Sequence, residues 1–403
     1  MKQIAIIGYG VVGGGITAVL EANREQIRRA VGDDTDVKYI LDLRDFPDSP
    51  YADRVVHDIT PILEDKEVVL VCETMGGSHP AREFSLACMN AGKSVVTSNK
   101  EVVANFGDEL LRCAAENGVS YLFEASVGGG IPVLRSFATS LAGEKISKVS
   151  GIVNGTTNFI LTKMKKEKRA FDDVLKEAQL LGFAEADPSA DIDGIDAQRK
   201  IIILSALASG ILAPGEEVYA QTLRNITMED IAAAEKLDAE IKLIAEAKIG
   251  EQLEAYVCPM MVPHDDPLSH ISDVYNGISV TSPVCGDILY YGRGAGRYPT
   301  AGAVMADAAA VLSGAAAAEY VPVFEKKEGA VRPFADIAFT YYIRAEGSSA
   351  ALAEALSAVC DDVTVLSDCS GTVELTAGRM TQGALEKALD GVHVLSVIRI
   401  KKD

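Results

Sequence analysis

The feature that most constrains this chain lies within its first thirty residues. A short apolar run, Gln3 to Ile7, breaks at Gly8-Tyr9-Gly10-Val11-Val12-Gly13, and a helical pattern from Val11 to Ala30 follows. Glycines at this spacing serve three ends. The first permits a tight turn, the second lets another group approach the backbone, and the third lets helix and strand pack closely. The opening turn of the helix offers unbonded N–H groups and a positive dipole end, which suits a phosphate. The spacing predicts a strand–turn–helix unit able to cradle a dinucleotide. A glycine-rich turn without a ligand is the plainer alternative, and the first-strand position argues against it.

Further strands are read at Val37 to Leu41, Val68 to Cys72, Ser94 to Thr97 and Ser120 to Phe123. Between them lie helical stretches at Pro80 to Ala91 and Phe106 to Asn117, closed by Gly92 and Gly118. Strands alternating with helices predict a parallel sheet covered on both faces. In such sheets ligands sit beyond the carboxyl ends of the strands. Three segments fall there: Met75-Gly76-Gly77, Thr97-Ser98-Asn99-Lys100, and the turn from Glu124 to Gly130. Lys100 is a candidate for a substrate carboxylate or the nicotinamide side of a cofactor, against the alternative of a surface lysine. The Glu124 turn could aim carbonyl oxygens at a hard cation, although a plain turn is the commoner outcome. Asp42, at the end of the second strand, suits the ribose hydroxyls of NAD, and Arg44 suits the 2′-phosphate of NADP. Two solvated turn charges remain the alternative.

After about Gly130 the texture changes. A strand is expected from Ile146 to Val153, and helices from Thr156 to Lys165 and Phe171 to Leu181. The segment Gly182 to Gly194 is acidic and turn-rich, with Glu185, Asp187, Asp191 and Asp193, and Asp193 is a candidate N-cap. The helix that follows carries Asp196 and Lys200 at i and i+4, on one face. From Ile201 to Ala208 it is almost wholly apolar, as buried helices are. A partly desolvated lysine beside a carboxylate is a tunable acid/base, which carbonyl reduction needs. A solvated helix pair is the alternative. Further strand-like runs follow Ala255, then the glycine-rich Gly292 to Gly296 and a helix from Ala301 to Leu312. A boundary is expected between Tyr320 and Pro333. The remainder reads β-α-β-β-α-β, a small ferredoxin-like unit.

The composition is that of a globular protein. Of 403 residues, 48% are hydrophobic and 24% charged, enough for two or three domains. The formal net charge of −20 argues against nucleic acid and anionic membranes as partners. Seven cysteines without a Cys-x-x-Cys pair suggest a reducing compartment. Apolar runs too short for a signal core or a membrane span lead to the expectation of a cytoplasmic protein.

Taken in order, the glycine loop, Ser94 to Lys100, Val153-Asn154-Gly155-Thr156-Thr157-Asn158-Phe159-Ile160-Leu161, Glu185 to Lys200, and Gly292-Arg293-Gly294-Ala295-Gly296 with Pro299-Thr300-Ala301 resemble the homoserine dehydrogenase family. The resemblance covers roughly residues 1 to 320. It implies reversible, NAD- or NADP-linked interconversion of L-aspartate 4-semialdehyde and L-homoserine, a step towards threonine, methionine and isoleucine. It implies Lys200 as proton donor, Asp196 as partner of the substrate hydroxyl, Glu185 and Asp191 as pocket acids, and Lys100 as an active-site lysine. Gly8, Gly10, Val11, Val12, Gly13, Arg44, Ser98, Lys100 and Gly294 become the expected cofactor contacts. Glu124, Val127, Gly129 and Ile131 become an expected structural sodium site.

The resulting expectation for the fold is α/β. A Rossmann-type doubly wound sheet (1–130, with a return near 292–320) precedes an α+β substrate and dimerisation domain (131–320) and an ACT-like unit (334–403). A homodimer or homotetramer is expected. Phe183 stands where the family usually has Tyr. Gly347-Ser348-Ser349-Ala350-Ala351-Leu352 replaces the usual ACT loop, which puts threonine feedback in question. Two other readings compete: a non-catalytic NAD(P)-binding regulator, and a dehydrogenase making an acyl phosphate, which needs a nucleophilic cysteine.

Overall fold

The computed structural model describes residues 1–318 and 323–402. Tyr320, at the start of the expected boundary, lies outside them. The chain divides into two compact units: residues 1–147, 202–215 and 280–327 form the first, and 148–201, 216–279 and 328–403 the second.

The first unit is built on six parallel strands: β1 (Lys2–Ile7), β2 (Thr35–Leu41), β3 (Val55–Val56), β4 (Val68–Glu73), β5 (Ser94–Thr97) and β6 (Tyr121–Leu122). Their order is β3-β2-β1-β4-β5-β6, so the chain adds strands outward on one side of β1 and then, from β4, on the other, while all strands stay parallel. The expected single helix from Val11 to Ala30 is two, α1 (Val11–Ala22) and α2 (Arg24–Val31), with Asn23 capping both. The Asn23 side chain makes no capping hydrogen bond, and its backbone N–H donates to the Val19 carbonyl to close α1. The break lets Ile27 and Val31 reach the core that holds Ile16 and Leu20. α3 (Thr60–Glu64) and α4 (Ala81–Asn90) follow. The helix expected from Phe106 begins six residues earlier, as α5 (Lys100–Asn117), because the Asn99 side chain accepts from the Val102 amide. Gly107 lies where α5 meets Phe324: a Cβ there would lie 3.1 Å from the ring. The short α6 (Leu134–Ala138) follows the Glu124 turn.

The second unit opens with β7 (Lys148–Ile152), α7 (Gly155–Glu167), α8 (Phe171–Leu180), the one-turn α9 (Ser189–Ile192) and α10 (Ile195–Ser209). α10 continues into the first unit, which also takes β8 (Ile211–Leu212). Then come β9 (Tyr219–Ala220), α11 (Met228–Lys236), β10 (Ala239–Lys248), β11 (Glu254–Pro263) and β12 (Tyr275–Ser282). β10 pairs with β11 along its whole length, Ala239 opposite Pro263 and Lys248 opposite Glu254.

The chain returns to the first unit through β13 (Gly286–Arg293), α12 (Arg297–Ser313) and β14 (Glu325–Lys326). Here α12 packs on α1: a Cβ on Gly15 would lie 2.7 Å from the Arg297 carbonyl oxygen. The C-terminal run is β15 (Ala338–Glu346), α13 (Ser349–Ser357), β16 (Val363–Cys369), β17 (Thr372–Thr381), α14 (Gln382–Ala388) and β18 (Val394–Ile400). Its strands are ordered β18-β15-β17-β16, the ferredoxin-like pattern. The module is not separate from the second unit. β18 lies parallel to β11, with Met260 opposite Arg399. One core runs from Ile152 and Tyr256 to Tyr341 and Leu375. No described helix is long and apolar enough to cross a membrane.

Candidate active site

In the first unit, Gly8 turns the chain out of β1 with φ +87°. Thr74 Oγ1 donates to the Gly8 carbonyl at 2.6 Å, and a Cβ on Gly13 would fall 2.1 Å from that same oxygen. Only glycine fits at position 13. Gly10 has open space where a side chain would stand, and α1 starts without a side-chain cap. Val11, 69% exposed, and half-buried Val12 flank this opening. An uncapped helix start beside a clear glycine is what a pyrophosphate requires, so these residues fit a dinucleotide.

Asp42 is already engaged. It accepts from the Tyr9 amide at 2.8 Å, which holds the loop, and from the Arg44 amide, Nε and Nη2, each at 3.0 Å. Burial alone would raise its carboxyl, but the Arg44 guanidinium and the two amides outweigh it and hold the group at about 2. Arg44 remains largely exposed.

At the carboxyl ends of β4 and β5 stands a residue the sequence reading overlooked. Glu73 is fully buried. One carboxyl oxygen accepts from the Met75 amide and the other from Thr97 Oγ1, each at 2.6 Å. Asn99 continues the network: its amide donates to Thr97 Oγ1 at 2.9 Å and its side chain to the Gly77 carbonyl at 2.8 Å. Glu73 thereby fixes both loops beyond the sheet, including Ser98 and half-buried Lys100, the first residue of α5. Burial pushes its carboxyl up to about 7, against the pull of Thr97, the Met75 amide and Asn99.

The Glu124 turn contains Gly128 and Gly129 at positive φ, 73° and 54°. Gly129 lies against the return segment, where a Cβ would be 2.6 Å from the Gly294 carbonyl. The Glu124 carboxylate accepts from the amides of Leu134 at 3.0 Å and Arg135 at 2.6 Å, holding the start of α6. Among the described residues no cluster of three or more His, Cys, Asp or Glu could hold a metal. A cation at Glu124, Val127, Gly129 and Ile131 would therefore depend on backbone oxygens.

In the second unit, Asp196 and Lys200 are both buried, on one face of α10. Lys200 Nζ donates to Asp196 Oδ2 and to the Val153 carbonyl, each at 2.7 Å. Asn154 organises this group. It caps α7 by accepting from the Thr157 amide, and its Nδ2 donates to Asp191 Oδ1 and Asp196 Oδ2, each at 2.7 Å. In the sequence Asn154 stands out only as part of the 153–161 motif. A side chain that caps one helix while bridging two acids from elsewhere leaves no local signal. Glu185 is exposed and belongs to a loop tied to α7, where Thr156 Oγ1 donates to the Phe183 carbonyl at 2.7 Å. Asp193, expected to cap α10, instead follows α9 and accepts from Thr222 and Arg224.

A parallel sheet with a glycine turn at its reversal point, and a buried lysine held by a carboxylate and a carbonyl, define a dinucleotide-linked oxidoreductase. Family models agree. Residues 8–124 match the NAD-binding domain of homoserine dehydrogenase, and residues 132–308 match homoserine dehydrogenase itself. The homoserine dehydrogenase of Bacillus subtilis is 38% identical over 315 residues, covering 77% of this chain and 72% of the relative. A homoserine dehydrogenase structure from Thiobacillus denitrificans has a TM-score of 0.91 at 32% identity, covering 99% of this chain and 98% of that one. A hyperthermophilic archaeal homoserine dehydrogenase solved in complex with NADPH has a TM-score of 0.66 at 28% identity, covering 77% and 97%. The chain belongs to the homoserine dehydrogenase family of NAD(P)-dependent oxidoreductases.

Proposed function

We propose that this chain interconverts L-homoserine and L-aspartate 4-semialdehyde with Lys200 carrying the proton. The observation that carries the reading is the Lys200–Asp196 pair, buried and anchored on the Val153 carbonyl. The bound nicotinamide cofactor supplies or accepts the hydride. The residues of the chain handle everything else. In the reducing direction Lys200 Nζ delivers a proton to the oxygen that was the aldehyde carbonyl, and in oxidation it takes the hydroxyl proton. Asp196 holds Lys200 in place and accepts from the substrate hydroxyl. Glu185 and Asp191 supply negative charge for the substrate ammonium, while Lys100 attends its carboxylate end. Gly8, Gly10, Val11, Val12, Gly13, Ser98 and Gly294 hold the cofactor.

Asp42 is occupied by protein donors, and Arg44, exposed although paired with it, is the cation beside a 2′-phosphate, which favours NADP over NAD. The acyl-phosphate alternative needs a reactive thiol. Cys72 and Cys88, near the cofactor sheet, are instead pushed up to about 12 by burial. A sodium ion in the Glu124, Val127, Gly129 and Ile131 turn would be structural, and a homodimer or homotetramer follows the prevalence of symmetric assemblies. The ACT-like reading of residues 334–403 rests on the β-α-β-β-α-β order. The test is an assay of homoserine oxidation with NADP⁺ and NAD⁺, each with and without threonine. Turnover with a preference for NADP⁺ that Arg44→Ala abolishes supports the reading. Tight NADPH binding with no turnover would favour the regulator.

A further inference from the structure

Arg399, on β18, is a buried cation that the reaction does not use. It is 2% exposed. One terminal nitrogen donates to the Gln221 side-chain oxygen and the other to Gln382 Oε1 at 2.8 Å, while Nε has no hydrogen-bond partner. The guanidinium lies 5.0 Å from the ring centre of Phe334 and 5.6 Å from that of Phe339. No described carboxylate lies within ion-pair distance. Burying a guanidinium on amides and aromatic rings is costly, and one of its two amide partners, Gln221, lies in the segment Val218–Leu223.

That segment clamps the start of α10. Gln198, in the first turn of α10, donates to the Val218 carbonyl at 2.5 Å. Thr222 Oγ1 donates to Asp193 Oδ1 at 2.8 Å, and the Leu223 amide to the Ile192 carbonyl at 3.0 Å. Gly194 turns into the helix with φ +80°, and a Cβ there would be 3.4 Å from the Gln221 carbonyl oxygen. Three consecutive residues before α10 thus rest on the segment whose Gln221 is held by Arg399. Tyr219 adds a second tie, its ring stacked on Phe334 at 3.8 Å. Asp196 and Lys200 follow directly.

We propose that Arg399 is a positioning residue for the reaction. Through Gln221 it sets Val218–Leu223 against the start of α10, and so holds Asp196 and Lys200 in register with Asn154 and the Val153 carbonyl. The C-terminal module then serves as a brace for the proton-carrying helix, with the Arg399 guanidinium as its polar link and the Tyr219–Phe334 stack as its apolar one. The proposal rests on the reading of Lys200 as proton carrier.

The test compares Arg399→Met, Arg399→Lys and Gln221→Leu in the full-length protein. Three readouts are taken: the pH profile of kcat/KM for homoserine, the Kd for NADPH, and hydrogen exchange at the first-turn amides of α10. Arg399→Met is expected to lower kcat about tenfold, displace the pH profile, speed exchange at Ile195 to Gln198, and leave the NADPH Kd unchanged. Arg399→Lys restores part of the loss, and adding Gln221→Leu to Arg399→Met makes it no worse. Wild-type kcat, profile and exchange in folded Arg399→Met would overturn the proposal, as would a fall in Tm as its only effect. Gln221→Leu, which removes no charge, gives the answer if Arg399→Met does not fold. If instead Lys200→Ala turned over normally, the reading of Lys200 would fail. Exchange in α10 would then still decide whether Arg399 braces the helix.

Discussion

Replacing Glu73 by Gln isolates one buried ionisation. The carboxyl sits at about 7 when the chain is folded, against an ordinary 4.5. Its proton is therefore bound more tightly in the folded state. The associated stabilisation is fully present below pH 4.5, declines as pH rises through about 7, and is gone above that. At about 1.4 kcal/mol per unit, the difference amounts to ~3 kcal/mol. The full value applies because Glu73 has no exposed surface to screen it. Gln keeps the shape and one acceptor but carries no titrating proton. Urea unfolding of both proteins from pH 4.5 to 8.5 measures the effect, with the first unit followed by its own probe. The gap between them should move by ~3 kcal/mol in favour of Glu73→Gln as pH rises, whatever constant offset the altered hydrogen bonds add. Tyr121, whose buried hydroxyl has no hydrogen-bond partner, is the titratable group facing Glu73 from β6. It lies well above its usual range and does not titrate in this window. Parallel curves across the series would refute the reasoning.

Two further substitutions probe the two units separately. Gly13→Ala drives a methyl into the Gly8 carbonyl, so NADPH affinity should fall about tenfold or more, and an unchanged Kd by fluorescence titration would count against the glycine turn as the cradle. Arg344→Met strands Asp230, which is fully buried and paired with Arg344 at 3.2 Å, so unfolding should become easier by ~3–5 kcal/mol; a loss under about 1 kcal/mol in urea would show that Thr227 alone satisfies the acid.

The parts of the fold that the sequence disclosed are those where a local pattern has one physical solution. The glycine turn and the i, i+4 pair at Asp196 and Lys200 are of that kind. What stayed hidden depends on partners distant in the chain. β10 reads Ala-Glu-Ile-Lys-Leu-Ile-Ala-Glu-Ala-Lys, a composition that favours helix, yet continuous pairing with β11 makes it a strand. Buried Lys242 within it is tolerated because it donates to the Ile271 carbonyl at 2.6 Å. Glu73 directly follows the apolar run that ends at Cys72 and resembles a surface charge. Only its bonds to Met75 and Thr97 show it to be the peg of the cofactor-side loops. Asn99 and Asn154 each set a helix boundary through the side chain, and in sequence nothing separates them from other polar residues.

The most direct test of the account is Lys200→Ala, assayed for homoserine oxidation and, in the same preparation, for NADPH binding. If Lys200 carries the proton, turnover falls by about a hundredfold or more while the Kd for NADPH stays at its wild-type value. Turnover close to wild type, with the cofactor bound as before, would contradict the account.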